Sequence, residues 1–338
     1  MTRTTPPRPL DVAVELPELA NLARTATRLH PRPGAPTVHD SSVGGPLLWP
    51  VGEPWPVYEP VHGAYGPLTT PADMRTLRGI MTQERSRPRR PGMDSLTEQE
   101  TAVVDRIRAG YAVELLPEGP LPLIPLVQLY ARDVPGLPCP EGTDMLQVLW
   151  TPFDEIEGSS GAVQLRWRLS SDVQEILTEP PEPAYIDVSD HVPRPCVLHP
   201  EQVREFPPMH LLTEEQTQHV DAWTKQRSMD HQHVEYEGDL SIAPGWKLGG
   251  WPAHFTYRYP AGPHEFQCGE CGGPVEALLT VASSEWDGRS RSWRPAEDMD
   301  GHPYHTQSPT IVTVGRGFSL QIYTCTSTLS HLPRTIMQ

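Results

Sequence analysis

Hydrophobic residues recur at spacings of three and four in three segments of the chain, and this spacing predicts three amphipathic helices. The first covers residues 15–29, where leucine and alanine side chains share one face. The second covers residues 97–109 and opens with Thr97 and Glu100, whose spacing is that of a capping box. The third covers residues 213–229 and opens with the same spacing of threonine and glutamine.

Elsewhere the hydrophobic pattern changes to short β-prone runs bounded by proline, glycine, aspartate and serine. These runs predict strands over residues 121–130, 145–150, 163–169, 275–282, 310–314 and 318–324. The 41 prolines add many breaks, because an interior proline removes a backbone donor and clashes with the preceding helical turn. The chain is therefore predicted to be rich in sheet and in loops.

One order of motifs occurs twice along the chain. Gly44–Pro46 precedes the runs LIPLVQL and MLQVLW, and Gly249–Pro252 precedes the runs VEALLTV and SLQIYTC. Such self-similarity indicates an internal duplication. The predicted fold class is α+β and sheet-dominated, with two related halves, a few packed helices and many proline-rich loops.

This plan divides the chain into four segments: a helix and linker over 1–40, a first half over 41–175, a connecting segment with a helix over 176–235, and a second half over 236–338. The first half contains a stretch, 67–92, with six arginines and no sustained periodicity. An exposed loop and a basic arm for nucleic acid or an acidic partner both fit this composition. We interpret the stretch as an exposed, inserted loop.

Charge and composition narrow the classes of function. The formal net charge of −16 disfavours nucleic-acid binding and favours a basic protein partner. The longest apolar runs are interrupted by proline and fall short of the ~20 residues that span a bilayer. The N-terminus lacks the apolar core of a secretion signal, and the five cysteines are sparse and odd in number. A cytoplasmic location is expected.

Cysteines in the second half have the spacing of metal ligands. Cys268 and Cys271 are separated by two residues, and the glycines around them permit the tight turn that a metal knuckle needs. Cys325 ends a predicted strand and is the expected third ligand, with His331 as the fourth. Other candidates for the fourth position are His264, His302 and His305. A structural zinc site is the preferred interpretation, and a metal-free reduced pair or a redox pair are the alternatives.

Other candidate chemistry is weaker. Asp230–His233 and His302–His305 could supply metal ligands or acid–base groups, but histidines in loops are most often ordinary surface residues. The sequence has no GxSxG, GxxxxGK[ST] or GxGxxG motif. No catalytic residue is predicted.

Tryptophans stand beside glycine and proline in the repeated motifs. Trp49, Trp55, Trp246 and Trp251 are candidates for a groove between the two halves that binds a ligand or a peptide. The simpler interpretation is that these rings fill the cores of the two halves, and both interpretations can hold together.

These motifs together resemble the YwqG-like family of bacterial proteins, which has no established biochemical function. The resemblance covers roughly residues 40–330, and Lys247–Pro252 followed by Cys268–Gly272 is its most specific part. It implies an α+β, duplicated, sheet-dominated fold with helices packed against it. Family members often carry a CxxC-like pair after the first Gly-Gly-Pro element, but this chain has Tyr58–Gly63 there, so a metal site in the first half is not expected.

We therefore expect a non-enzymatic, cytoplasmic protein-binding module, acting as an immunity or regulatory factor in a bacterial toxin-linked system. Its negative charge would speed association with a basic partner. The first alternative is an enzyme that modifies a peptide or natural product in a cleft between the halves. The second is a housekeeping scaffold stapled by zinc.

Overall fold

The structure of the chain, a computed structural model, describes residues 2–61, 64, 66–87, 96–157, 161–229, 233–255, 263–300 and 306–338, with the side chains of all of these except 228, 263 and 264.

Strands and helices are short and are joined by long proline-rich loops. The strands are β1 Arg24–Arg28, β2 Arg32–Pro33, β3 Ser42–Val43, β4 Val57–Tyr58, β5 Leu121–Pro122, β6 Ile124–Tyr130, β7 Met145–Trp150, β8 Val163–Arg168, β9 Cys196–Val197, β10 Glu201–Glu205, β11 Lys247–Gly249, β12 Val275–Ala282, β13 Ser319–Cys325 and β14 Arg334–Met337. The α-helices are α1 Val12–Glu15, α2 Pro71–Ser86, α3 Glu98–Ala109 and α4 Glu214–Met229.

Within the described residues the strands form three sheets. The first has the order β10-β1-β11-β12-β13-β14, the second has the order β2-β9-β3-β6-β7-β8, and the third is the pair β4-β5. One hydrophobic core joins the two large sheets, because Val127 and Val148 of one sheet belong to the same buried cluster as Leu279 and Ile322 of the other. The α+β, sheet-dominated prediction is confirmed.

The central strand pairs of the two large sheets have matching registers. Gln128 lies opposite Gln147 in one sheet, and Thr280 lies opposite Gln321 in the other. Both pairs are joined side chain to side chain, at 2.8 Å and 2.7 Å. A register shift lies two residues before Gln128 and two residues before Thr280. The internal duplication stays a prediction. Two halves related by duplication would have matching registers of this kind.

Strands from different predicted segments pair with each other in the same sheet. β1 lies in the predicted linker 1–40 but pairs with β11 of the second half. β9 lies in the predicted connecting segment and pairs with β3 of the first half. Each large sheet is therefore built from distant parts of the chain, and the boundaries at 40, 175 and 235 stay predictions about sequence organisation.

The helix predicted over residues 15–29 is wrong. A 3-10 helix covers Pro17–Leu22, and β1 follows it. β1 is an interior strand that pairs with β10 on one side and β11 on the other, so its backbone gains sheet partners on both edges. The leucine spacing instead places Leu16 and Leu19 in a small core with Val220 of α4.

The arginine-rich stretch is helical over Pro71–Ser86, so its interpretation as a loop is wrong for these residues. Thr70 caps α2 by accepting a hydrogen bond from the Asp73 backbone at 3.1 Å, and Pro71 occupies the first turn, where its missing N–H costs nothing. Arg78 donates to the carbonyl oxygens of Ser189 and Val192 at 2.8 and 2.6 Å. Residues 88–92 lie outside the described residues.

Other predicted elements are confirmed. β7 and β12 have the predicted bounds, and α3 carries the predicted capping box, in which the Thr97 hydroxyl and the Glu100 carboxylate each bond the other's backbone N–H. α4 begins after Thr213, as predicted. Residues 310–314 are not a strand and contribute only an isolated bridge between Val314 and Phe318.

His191 makes the fold sensitive to acid. It is buried with its ring centroid 5.1 Å from that of Trp150, and burial lowers its pKa to about 4. An unfolded histidine titrates near ~6.5, so the unfolded chain binds the extra proton first as the pH falls. The contribution of neutral His191 to the free energy of unfolding is fully present above pH ~6.5. It is lost as the pH falls to about 4, and the total loss is at most ~3 kcal/mol.

A His191→Phe variant should lose this share of the pH dependence. The measurement is the free energy of unfolding in urea at pH 7 and pH 4.5, for the wild type and for the variant. We expect the decrease between the two pH values to be smaller in the variant. Equal decreases in both proteins would show that His191 does not carry the effect.

Candidate metal centre

The knuckle at Cys268–Cys271 is a tight turn that ends just before β12. The Cys268 backbone N–H donates to the Gly273 carbonyl at 2.7 Å, and the Gly272 N–H donates to the Cys268 carbonyl at 2.9 Å. Gly272 has a φ of +69°, in the left-handed region that favours glycine. The turn thus directs two cysteines of nearby sequence toward one point.

Sheet pairing brings the third cysteine to this point. Val275, the first residue of β12, lies opposite Cys325, the last residue of β13. The knuckle immediately precedes Val275, so the antiparallel register places Cys325 beside it. The expectation that the end of this strand lies near the knuckle is confirmed.

The loop between β13 and β14 supplies the candidate for the fourth ligand. Its residue His331 has its Nδ1 at 3.3 Å from the Cys268 Sγ. The loop is held to the knuckle by the Leu332 backbone N–H, which donates to Glu270 at 2.6 Å. Knuckle, strand end and loop therefore meet in one small cluster.

The geometry of this cluster can hold a metal ion. The ligand atoms of Cys268, Cys271, Cys325 and His331 all lie within 4.8 Å of one another. The Sγ atoms of Cys271 and Cys325 are 3.5 Å apart. With metal–sulfur distances of ~2.3 Å, a tetrahedral ion separates two sulfurs by about 3.8 Å. The observed separation of these two sulfurs is close to that value.

The local backbone favours the thiolate form that a metal needs. Backbone N–H groups of Thr328 and Ser327 point at the Cys325 Sγ, and they lower its pKa to about 6. The Ser327 nitrogen is 3.4 Å from that sulfur. Since metals bind thiolates, a cysteine that ionises near neutral pH releases its proton to solvent on metal binding at little cost.

All four candidate ligands are protein side chains, so a tetrahedral ion held by them would leave no position for a catalytic water. Structural metal sites have this closed arrangement, whereas catalytic sites keep one position open. The side chain of His264, the residues His302–His305 and residues 230–232 lie outside the described residues. His233 is exposed, and the structure does not bring it to this cluster.

A large cleft borders the centre. It has a volume of about 770 Å³ and is lined on one side by β8 and on the other by residues 324–333, which include Cys325 and His331. The indole nitrogen of Trp167, in this lining, is buried and has no hydrogen-bond partner in the described part of the chain. A metal that fixes the loop 326–333 would therefore fix one wall of the cleft.

The predicted tryptophan groove is not formed by all four rings. Trp49 and Trp246 are 0% and 1% exposed, so no ligand can reach either ring. Trp55 packs on Trp49 with ring centroids 5.0 Å apart. Trp251 lies elsewhere, stacked on the guanidinium of Arg24 at 3.8 Å. A tryptophan ring is stabilised more by burial in a core than by exposure in a groove. Trp49 and Trp246 therefore fit the simpler interpretation, in which the rings fill the cores.

A buried ionic cluster, absent from the sequence analysis, lies inside the sheet of β1 and β11. The Lys247 ammonium donates to Glu205 at 2.6 Å, and both side chains are at most 1% exposed. His30 lies between Glu285 and Glu201, at 3.2 and 3.3 Å. In the sequence, only the lysine of the KLGGWP motif could have indicated this cluster. A lysine beside apolar residues in a strand is buried with them and needs a buried partner of opposite charge.

A second cavity, of about 280 Å³, lies beside His254 and is lined also by Glu237, Asp287 and Arg316. Burial lowers the pKa of His254, and its Nδ1 is buried without a hydrogen-bond partner among the described residues. This cavity is the feature that the enzyme alternative expects near the Gly-Gly-Trp-Pro element.

Comparison of the described helices with membrane-spanning helices, and of the chain with protein families and with curated proteins, found no match. In the described parts of the chain, no helix has both the length and the apolar character to cross a membrane. No protein-family model matches the chain, and no curated protein matches its sequence.

Proposed function

We propose that this chain is a non-enzymatic protein-binding module whose interaction surface is held in shape by a structural zinc ion. The observation that carries the proposal is the cluster of Cys268, Cys271, Cys325 and His331, with all four ligand atoms within 4.8 Å. Three thiolates and one imidazole form a ligand set typical of tetrahedral structural zinc. The resemblance to the YwqG-like family stays part of this proposal.

Binding a partner is the use that best fits a closed metal centre beside an open cleft. The zinc would hold the loop 326–333 against the knuckle, and this loop forms a wall of the 770 Å³ cleft. No reactive group is required by this arrangement. The role in a bacterial toxin-linked system remains a proposal that rests on the acidic composition, the absence of catalytic motifs and the family resemblance. The cytoplasmic location remains a proposal that rests on the N-terminal sequence and the sparse cysteines.

The net charge supports a basic protein as the partner. A charge of −16 creates a long-range attraction that raises association rates and weakens as salt increases. A toxin with a basic surface would be attracted in this way. The cavity beside His254 supports the enzyme as a second candidate. In its described lining the Ser290 hydroxyl donates to Asp287 at 2.7 Å, and Asp287 also accepts the backbone N–H groups of Arg289 and Ser290, which is the pattern of a turn.

Metal analysis of the purified chain tests the proposal. We expect one zinc ion per chain in the wild type and less than a tenth of that in Cys271→Ser, since the lost thiolate is exposed and its replacement does not disturb the core. Cys139→Ser is the matched control, because Cys139 is a free cysteine outside the cluster, and it should keep its zinc. Wild-type protein that takes up no zinc from a buffered zinc solution would contradict the proposal.

A further inference from the structure

The cavity beside His254 has an inner end formed by the first large sheet. Thr280 of β12, Ser319 of β13 and Gln338, which follows β14, all line it. Thr280 and Gln338 are 3% and 2% exposed. Gln338 and Ser319 exchange backbone hydrogen bonds of 2.8 and 2.9 Å, so the sheet fixes the backbone from which the Gln338 side chain extends.

Gln338 has an unused hydrogen-bond acceptor. Its Nε2 donates to the Tyr323 hydroxyl at 3.1 Å, whereas its Oε1 is buried and has no partner among the described residues. Buried polar atoms are nearly always paired, because an unpaired one loses its bonds to water without replacement. A ligand in the cavity that donates a hydrogen bond to this oxygen would restore the missing partner.

His254 and Glu237 bring two further acceptors to the cavity. Burial lowers the pKa of His254, so its ring is neutral at pH 7 and one ring nitrogen accepts a hydrogen bond. The Nδ1 atom is buried and unpaired in the described part of the chain. The Glu237 carboxylate accepts the Met209 backbone N–H with its Oε1 at 3.2 Å, which leaves its Oε2 for a ligand. A ligand that binds both side chains must therefore be a donor.

Cationic side chains line the cavity only at its mouth. Arg289 and Arg316 are exposed, and the buried and half-buried part of the described lining contains no arginine or lysine. Arg289 is paired with Glu235 at 3.3 Å, and Arg316 forms no ion pair among the described residues. The charge inside the cavity is therefore negative, while Arg316 can donate to a carbonyl or carboxylate oxygen that enters beside the bound group.

We propose that this cavity binds a guanidinium group, carried by an arginine side chain of the partner protein or by a free small molecule. A guanidinium is a planar cation with five N–H donors and no acceptor, so its hydrogen-bonding groups match the acceptors of Gln338, His254 and Glu237. The volume of about 280 Å³ lies near the lower limit of small-molecule sites, ~300–1,000 Å³, and suits a single side chain. The partner as the source of the group rests on the proposed function, whereas the site rests on the cavity alone.

NMR titration of the purified full-length, zinc-loaded chain with propylguanidine tests the site. We expect saturable shifts of the backbone amides of Ser319 and Gln338. A capped Gly-Arg-Gly peptide should shift the same amides, and propylurea, which has the same planar shape without the charge, should bind about tenfold more weakly. Binding of propylguanidine without the peptide would contradict a partner side chain as the source and would assign the site to a free small molecule.

Variants of the lining identify the groups that bind. Glu237→Gln should weaken the binding of propylguanidine about tenfold, because it removes the charge but keeps an acceptor for the Met209 N–H. Gln338→Met removes the unpaired acceptor and should weaken binding about fivefold. Glu215→Gln, at an exposed position of α4, is the matched control, since it changes the net charge equally, and it should bind within about twofold of the wild type.

Two results would overturn the inference: equal binding of propylguanidine and propylurea, or a dissociation constant for propylguanidine that Glu237→Gln leaves unchanged. The first compares two probes on the wild type, so a misfolded variant cannot produce it. Zinc analysis of the same preparations keeps the metal centre separate. Wild-type protein that takes up no zinc but binds propylguanidine contradicts the metal centre alone, and zinc-loaded protein that binds neither propylguanidine nor the peptide overturns this inference alone.

Discussion

Replacing Cys325 with serine should remove the metal and lower the free energy of unfolding by about 3–5 kcal/mol. Structural zinc contributes ~10–16 kcal/mol in isolated zinc-finger peptides, which have little other core. Here the large core of the two sheets folds around other residues, so we expect a smaller share of that value. The loss should be concentrated where Cys325 joins the end of β13 to the knuckle.

Differential scanning calorimetry and hydrogen exchange measure this effect. The unfolding midpoint of Cys325→Ser should fall by roughly 5 °C, and wild-type protein treated with a strong chelator should show the same decrease. Backbone amides of the knuckle and of residues 326–333 should exchange faster in both. Cys139→Ser serves as the control and should match the untreated wild type. Equal midpoints for the wild type, the variant and the chelated protein would contradict a stabilising metal.

A Lys247→Met variant is expected to lose about 3–5 kcal/mol of folding free energy. Glu205 is fully buried, and beside Lys247 it accepts the backbone N–H groups of Ala243 and Trp251, each at 2.8 Å. Without the ammonium, the buried Glu205 carboxylate has no cation in direct contact among the described residues. Leaving one charge of a buried pair unpaired costs far more than the pair itself contributes.

The double variant Lys247→Met/Glu205→Gln separates these two effects. The N–H groups of Ala243 and Trp251 bond different oxygens of Glu205, so glutamine keeps an acceptor for one of them and carries no charge. We expect the double variant to be more stable than Lys247→Met alone in urea unfolding, with a coupling energy above ~1 kcal/mol. Additive losses from the two substitutions would show that the two groups do not form an interacting buried pair.

Strands could be predicted well where both faces of the chain are apolar. Residues 145–150 are all buried, five of the six are apolar, and the short length of the run between breaking residues favours an interior strand over a helix. The helix predicted over residues 15–29 is wrong although its leucines do pack on one side. The backbone that carries them is a 3-10 helix followed by a strand. The pairing of β1 with β10 and β11 decides the structure there, and no local pattern contains that information.

The cluster of the candidate metal centre could be predicted because its chemistry is concentrated in few residues. Two cysteines at knuckle spacing limit the site strongly, and a third at the end of a neighbouring strand completes most of it. The choice of His331 depends on the path of the loop between β13 and β14, which no spacing rule gives. The ionic cluster around His30 could not be predicted, since its partners Glu201 and Glu285 are 171 and 255 residues away.

X-ray absorption at the zinc edge of the zinc-loaded protein tests the central claim most directly. A structural centre formed by Cys268, Cys271, Cys325 and His331 predicts three sulfur neighbours at ~2.3 Å and one nitrogen neighbour at ~2.0 Å, and His331→Ala should remove the nitrogen contribution. A first shell made mainly of oxygen and nitrogen atoms would contradict the claim, because it would place the zinc away from the three cysteines.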